Sequence, residues 1–234
     1  MNPSRRGLST AAKAGAAVIV AVVVLAGAYF SPSLLGGAKT STTLSNGPLT
    51  SLSLFGYFSH MEVKITQDSS QQALGSVQTQ AVTYAVLGRE QWNLTEYTKV
   101  EFSEPGAGGT VVAWFNSAGT IDRLDVLAEA RNYTGPGAAI IAQIDTNALG
   151  LVTAVSNNAT LVSMLSQSSQ NTTTIGSVQL NATTYTLPAP TAGYKHITLE
   201  MVNLPGTSQR LAVYLDLKTI SKLELTMWIT NLAK

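Results

Sequence analysis

His60 and His196 are the only two histidines, and each has a glutamate close by, Glu62 and Glu200. A zinc site draws three or four such ligands together, and neither histidine has a second one at ligand spacing. Each therefore reads as an ordinary surface or half-buried imidazole, and no metal ligand is assigned. The carboxylate pairs Glu101/Glu104 and Asp122/Asp125 have the residue types for glycoside hydrolysis. Asp125 alternates with Arg123, however, and Glu224 with Lys222, which is the pattern of solvated cross-strand charge pairing. No G-x-S-x-G elbow presents a serine nucleophile. No catalytic residue is assigned.

Gly106-Ala-Gly-Gly109 leads into a strand pattern and reads as a hairpin loop, not as a phosphate cradle. Gly135-Pro-Gly137 opens a helix whose first amides could hold an anion, although a helix start calls for such residues in any case. No cofactor is implied. Trp92, Trp114 and Trp228, with the tyrosines, have the chemistry of a sugar platform. Trp114 and Tyr214 fall at matching places in a repeated strand pattern, so paired core positions are the expectation.

Asn93, Asn132, Asn158, Asn171 and Asn181 each open an Asn-x-Thr sequon. An Asn- and Thr-rich chain produces some sequons by composition alone. All five nevertheless lie beyond residue 90, and four fall at element ends or loops, with Asn181 inside an expected strand. N-glycosylation is expected at them.

The elements that must carry these residues come from a chain of 234 residues with 45% apolar and only 12% charged side chains. The apolar share is that of a folded chain, and polarity is supplied by Ser, Thr, Asn and Gln. Cysteine is absent, which excludes disulfides, thiolate catalysis and thiolate metal sites. Residues 1–38 carry Arg5, Arg6 and Lys13 and no acid, and the remainder is slightly acidic. Without a cluster of Lys and Arg to displace counterions, nucleic acid is not an expected partner.

Ala14–Phe30, AGAAVIVAVVVLAGAYF, is apolar all round and long enough as a helix, about 26 Å, to cross most of a bilayer. With basic residues before it, the expected localisation is the cell membrane, single-pass through residues 14–30, with the C-terminal part extracytoplasmic. Ala26-Gly-Ala28 offers a signal-peptidase site ending at Ala28. Arg5-Arg6-Gly7-Leu8-Ser9 resembles the class III, prepilin-type signal of archaeal surface proteins, which implies cleavage after Gly7 and retention of the apolar helix. Lys13 departs from that pattern, because a charge in the helix suits a filament core badly.

Residues 31–48 are rich in Ser, Thr, Gly and Pro and read as a flexible stalk. Downstream, residues 75–86 (GSVQTQAVTYAV) and 176–187 (GSVQLNATTYTL) are identical at seven of twelve positions. TIDRLDV at 120–126 matches TISKLEL at 219–225 in the same order. The expected fold is therefore α+β, two duplicated units over residues 49–131 and 148–234, each a helix followed by an antiparallel meander. Residues 132–147 form the connection and the start of a long helix through Ile141–Val155, broken at Asn157-Asn158. A short helix follows over Leu161–Leu165.

Low charge, many sequons, no cysteine and the class III-like start resemble small surface proteins of Sulfolobales-type archaea. Carboxylates lose their charge in acid, so a fold with few ion pairs is less exposed to pH. The resemblance implies a glycosylated cell-surface protein acting as a binding or structural module, with cell-envelope proteins or glycans as partners. A pilin-like filament subunit and an extracellular hydrolase are the alternatives.

Overall fold

The computed structural model describes residues 47–234 except 73–74, 105–108 and 192. The apolar run 14–30 and the cleavage positions Gly7 and Ala28 lie outside the described residues.

Alternation of apolar and polar residues builds the strands. In β1 (His60–Asp68), Met61, Val63 and Ile65 are buried while Lys64 is exposed. The same rhythm buries Val82 and Tyr84 of β2 (Val77–Trp92) and Val100 and Phe102 of β3 (Thr95–Ser103). β4 (Thr110–Phe115), β5 (Ile121–Val126) and the short β6 (Arg131–Thr134) complete a meander. Five further strands follow: β7 (Ser166–Ile175), β8 (Val178–Thr186), β9 (Tyr194–Asn203), β10 (Arg210–Thr219) and β11 (Glu224–Ala233).

Among the described residues three α-helices accompany them. The first, α1 (Ser51–Tyr57), opens on a capping box in which Thr50 and Ser53 bond each other's backbone amides. The longest, α2 (Pro136–Ser156), packs mainly on β5 and β10 and also touches β1. Asn158 then caps α3 (Ala159–Ser163), accepting the Leu161 amide at 2.7 Å.

The expected pair of helix-plus-meander units is corrected here. All eleven strands form one antiparallel sheet in the order β6-β5-β4-β3-β2-β1-β11-β10-β9-β8-β7. The seam is β1 against β11, with Val63 opposite Ile229 and Ile65 opposite Met227. A meander ending at β1 or β11 would expose a row of unpaired amides and carbonyls, and pairing the two edges removes it. Short repeated blocks report strand and turn chemistry, whereas this long-range pairing leaves no local signal. The helices follow the same logic: α2 lays Leu149, Val152 and Val155 into a core shared with Leu124 of β5 and Leu215 of β10.

The single-pass membrane placement is likewise not supported by the fold. Among the described residues no helix is long and apolar enough to cross a membrane. Leu149, Val152 and Val155 of α2 are buried in the core instead.

Candidate functional site

The face of the sheet opposite Met227 and Leu215 carries a row of side chains across four strands. Glu200 of β9 lies opposite Tyr214 of β10, Tyr214 opposite Trp228 of β11, and Trp228 opposite Lys64 of β1. Neighbouring strands stand about 4.8 Å apart, so these side chains form one continuous row. Trp228 alternates with the fully buried Met227 and Ile229, which forces its indole onto the polar face, where it is 52% exposed.

Two β-bulges shape the same place. Val213 is the extra residue where the β9–β10 register shifts between Ala212 and Tyr214. Thr230 is the extra residue on β11 where Glu62 faces Asn231 and Val63 faces Ile229. Bulges bend a strand and re-aim its side chains. The first brings Tyr214 opposite Glu200, and the nearby amide of Ala212 donates to Ser156 Oγ of α2 at 2.9 Å. The second leaves Thr230 Oγ1 buried without a hydrogen-bond partner.

A wall closes over this row. The β7–β8 turn comes back onto β11, where the Ser177 amide donates to the Leu232 carbonyl at 3.2 Å. Gly176 occupies the tight point, at φ 59°, with no room for a Cβ against Asn231 and Leu232. Thr173, Thr174 and Ile175 of β7 then face Glu200, Tyr214, Trp228 and Thr230 across a groove of about 360 Å³. That volume is in the range of small-molecule sites, roughly 300–1,000 Å³.

The groove is polar but nearly uncharged. Glu200 is the single ionisable acid on its lining, no Lys, Arg or His lines it, and Glu200 has no ion pair among the described residues. Burial raises the Tyr214 phenol above its ordinary value, the nearby Asp216 raises it further, and Lys218 opposes both. Tyr214 therefore stays a neutral hydroxyl that both donates and accepts. Beside the groove His196 Nε2 lies 3.4 Å from Asp216 Oδ2, and Lys218 Nζ pairs with Glu224 Oε2 at 3.0 Å.

The other residues singled out in the sequence are dispersed. His196 shares a row with Lys218, Glu224 and Asp68, whereas His60 pairs with Ala233 eight residues further along β1. At about 3.3 Å per residue the two rings are separated by more than 25 Å along the strands. Among the described residues no group of three or more potential metal ligands stands together. Glu104 is half-buried, and burial raises its carboxyl above the ordinary range against an opposing hydrogen bond from Gln80.

The second carboxylate pair is built into structure. Asp122 accepts from Tyr97 Oη at 3.1 Å and Asn116 Nδ2 at 2.9 Å. Asp125 accepts from Trp114 Nε1 at 2.9 Å and Arg123 Nε at 2.8 Å. The charges on β5 are therefore not freely solvated, as their alternation suggested. They cover a second small apolar cluster of Tyr97, Val112 and Trp114 with Trp92, with Arg123 stacked 4.5 Å over Trp114. This also splits the tryptophans, since Trp114 is 4% exposed and Trp228 lies open in the groove.

The sequons fall at different kinds of place. Asn93 is exposed at φ 48° in the β2–β3 turn, and Asn132, Asn171 and Asn181 are exposed on β6, β7 and β8. Asn158 is half-buried, its Oδ1 engaged in capping α3. Gly135-Pro136-Gly137 lies at the start of α2 as read, whereas most of Gly106–Gly109 lies outside the described residues. The groove itself escaped the sequence reading. One signal was present, a tryptophan on the polar phase of an alternating strand, Thr226-Met-Trp-Ile-Thr230.

No protein-family model and no curated protein matches the chain. Solved structures do resemble it distantly. The crystal structure of MucB in complex with MucA(peri) is 9% identical with a TM-score of 0.34, over 78% of this chain and 52% of that one. This chain thus spans about half the length of that protein. A domain described as an outer membrane lipoprotein-sorting protein from Vibrio parahaemolyticus is 9% identical with a TM-score of 0.24, covering 74% of this chain and 83% of its own. A lipoprotein structure from Parabacteroides distasonis is 13% identical with a TM-score of 0.25, covering 82% of this chain and all of its own. A likeness this distant concerns the general fold alone.

Proposed function

We propose that this chain is an extracytoplasmic binding module of a cell envelope, and that the groove over β9, β10 and β11 is where its ligand sits. The observation that carries the proposal is Trp228. A large aromatic side chain on the polar face of a central strand, 52% exposed, forfeits burial that its size would reward. It stands in a preformed groove with polar groups to converge on a ligand, Glu200 and Tyr214 among them.

The export-type N-terminal sequence and the absence of cysteine support an extracytoplasmic address of prokaryotic type. N-glycosylation at Asn93, Asn132, Asn171 and Asn181 belongs to the same proposal, supported by the exposure of all four. Asn158 is the weakest acceptor of the five, because its side chain is already engaged.

A side-by-side equilibrium-binding screen of the wild-type chain and Trp228→Ala, against peptide and glycan panels, tests the reading. The wild type is expected to retain at least one class of ligand that Trp228→Ala loses. Retention of every bound class by Trp228→Ala would remove the groove from the proposal.

A further inference from the structure

We infer that the groove takes a neutral saccharide, one sugar ring of which stacks on the indole of Trp228. This rests on the reading of the groove as a binding site and names its ligand class.

Three features point to a sugar. A pyranose has a face of C–H groups ringed by hydroxyls, so it needs an exposed flat aromatic with hydrogen-bonding groups around it. Trp228 supplies the flat aromatic, 52% exposed between its ladder partners Tyr214 and Lys64.

The second feature is the lining. Thr173, Thr174 and Tyr214 carry hydroxyls, each able to donate and to accept, which is the property of the sugar hydroxyls they would meet. The Glu200 carboxylate, without an ion pair among the described residues, can accept two hydrogen bonds from a vicinal diol.

The third is what the groove lacks. Its lining carries no cation, and the one nearby, Lys64 beside Trp228, stands at the exposed end of the row, so the lining favours a neutral ligand over a phosphate or a carboxylate. Its floor strands β9, β10 and β11 are each paired on both sides, so the floor has no backbone edge to offer a peptide strand, and only the short wall segment of β7 belongs to an edge strand.

Titration of the full chain with a panel of neutral oligosaccharides, followed by the three indole N–H resonances in nitrogen-15 NMR, tests the inference. An uncharged extended peptide is run as the comparison. At least one oligosaccharide is expected to move the Trp228 signal and leave those of Trp92 and Trp114 in place. Trp228→Ala should weaken that binding by about tenfold or more, with thermal stability unchanged because the indole is half exposed. Glu200→Gln should weaken it by a smaller factor. If only the peptide moves the Trp228 signal, the saccharide is wrong while the groove remains a binding site. If neither moves it, both are wrong.

Discussion

Gly176 approaches Leu232 so closely that a Cβ added to the glycine would lie 2.6 Å from the Leu232 carbonyl oxygen. The backbone there is also left-handed, at φ 59°, a conformation that costs an L-residue about 1–2 kcal/mol. This close approach, together with the Ser177 hydrogen bond to the Leu232 carbonyl, fastens the β7–β8 turn onto β11 and gives the groove its wall. Gly176→Ala should therefore lower stability by about 2 kcal/mol or more and open the groove. Thermal denaturation reads the first effect, and increased acrylamide quenching of Trp228 reads the second. Unchanged stability and quenching would mean that the turn does not close on β11.

Leu124 has no exposed surface in the middle of β5. Leu124→Asp should cost about 3 kcal/mol or more in denaturant unfolding, because it buries a carboxylate in the core. A loss below about 1 kcal/mol would place Leu124 at the surface.

The neighbouring Asp125 is expected to matter as well. Asp125→Ala strips the acceptor from Trp114 Nε1 and Arg123 Nε, two donors held half-buried or deeper. A loss of about 1–3 kcal/mol is expected, with a change in Trp114 fluorescence. A silent substitution would restore the solvated-pair reading.

That residue marks the limit of what the sequence discloses. Alternation in Met61, Val63 and Ile65 or in Ile197, Leu199 and Met201 announces a strand and its buried face, because pleating links the two directly. Asn157-Asn158 announces the break between α2 and α3 through capping chemistry. By contrast, β7 reads SQSSQNTTTI and has only one apolar residue, so nothing local marks it as a strand. Its pairing with β8 and its return onto β11 are tertiary effects. The seam between β1 and β11 joins positions more than 150 residues apart, and no periodicity encodes it. The groove needs both the seam and the return of β7, which is why Trp228 alone hinted at it.

Glu104 provides a test by pH. Burial raises its carboxyl above the unfolded value, so the folded chain binds the proton more tightly than the unfolded one. Stability from this group is present in acid and is lost as the pH rises from the unfolded pKa through the folded one. Glu104→Gln should therefore raise the melting temperature at neutral pH and leave it nearly unchanged in acid. The half-exposed setting keeps the gain below about 1 kcal/mol. A lower melting temperature at neutral pH would contradict the assignment.

Peptide mapping of the chain from its native host checks the sequons. Glycans are expected on Asn93, Asn132, Asn171 and Asn181, with the lowest occupancy at Asn158. Separately, Asn158→Ala should cost about 1 kcal/mol through loss of the α3 cap. Five bare asparagines would end the glycoprotein proposal.

The groove as the binding site is tested most directly by backbone and indole chemical-shift mapping of the full chain with any ligand that the Trp228→Ala screen selects. The shifts should centre on Trp228, Tyr214, Glu200 and Thr230 and extend to Thr173 and Thr174 across the groove. Shifts centred on α2 or on Trp114 and Arg123, with the Trp228 indole unmoved, would place binding elsewhere and contradict it.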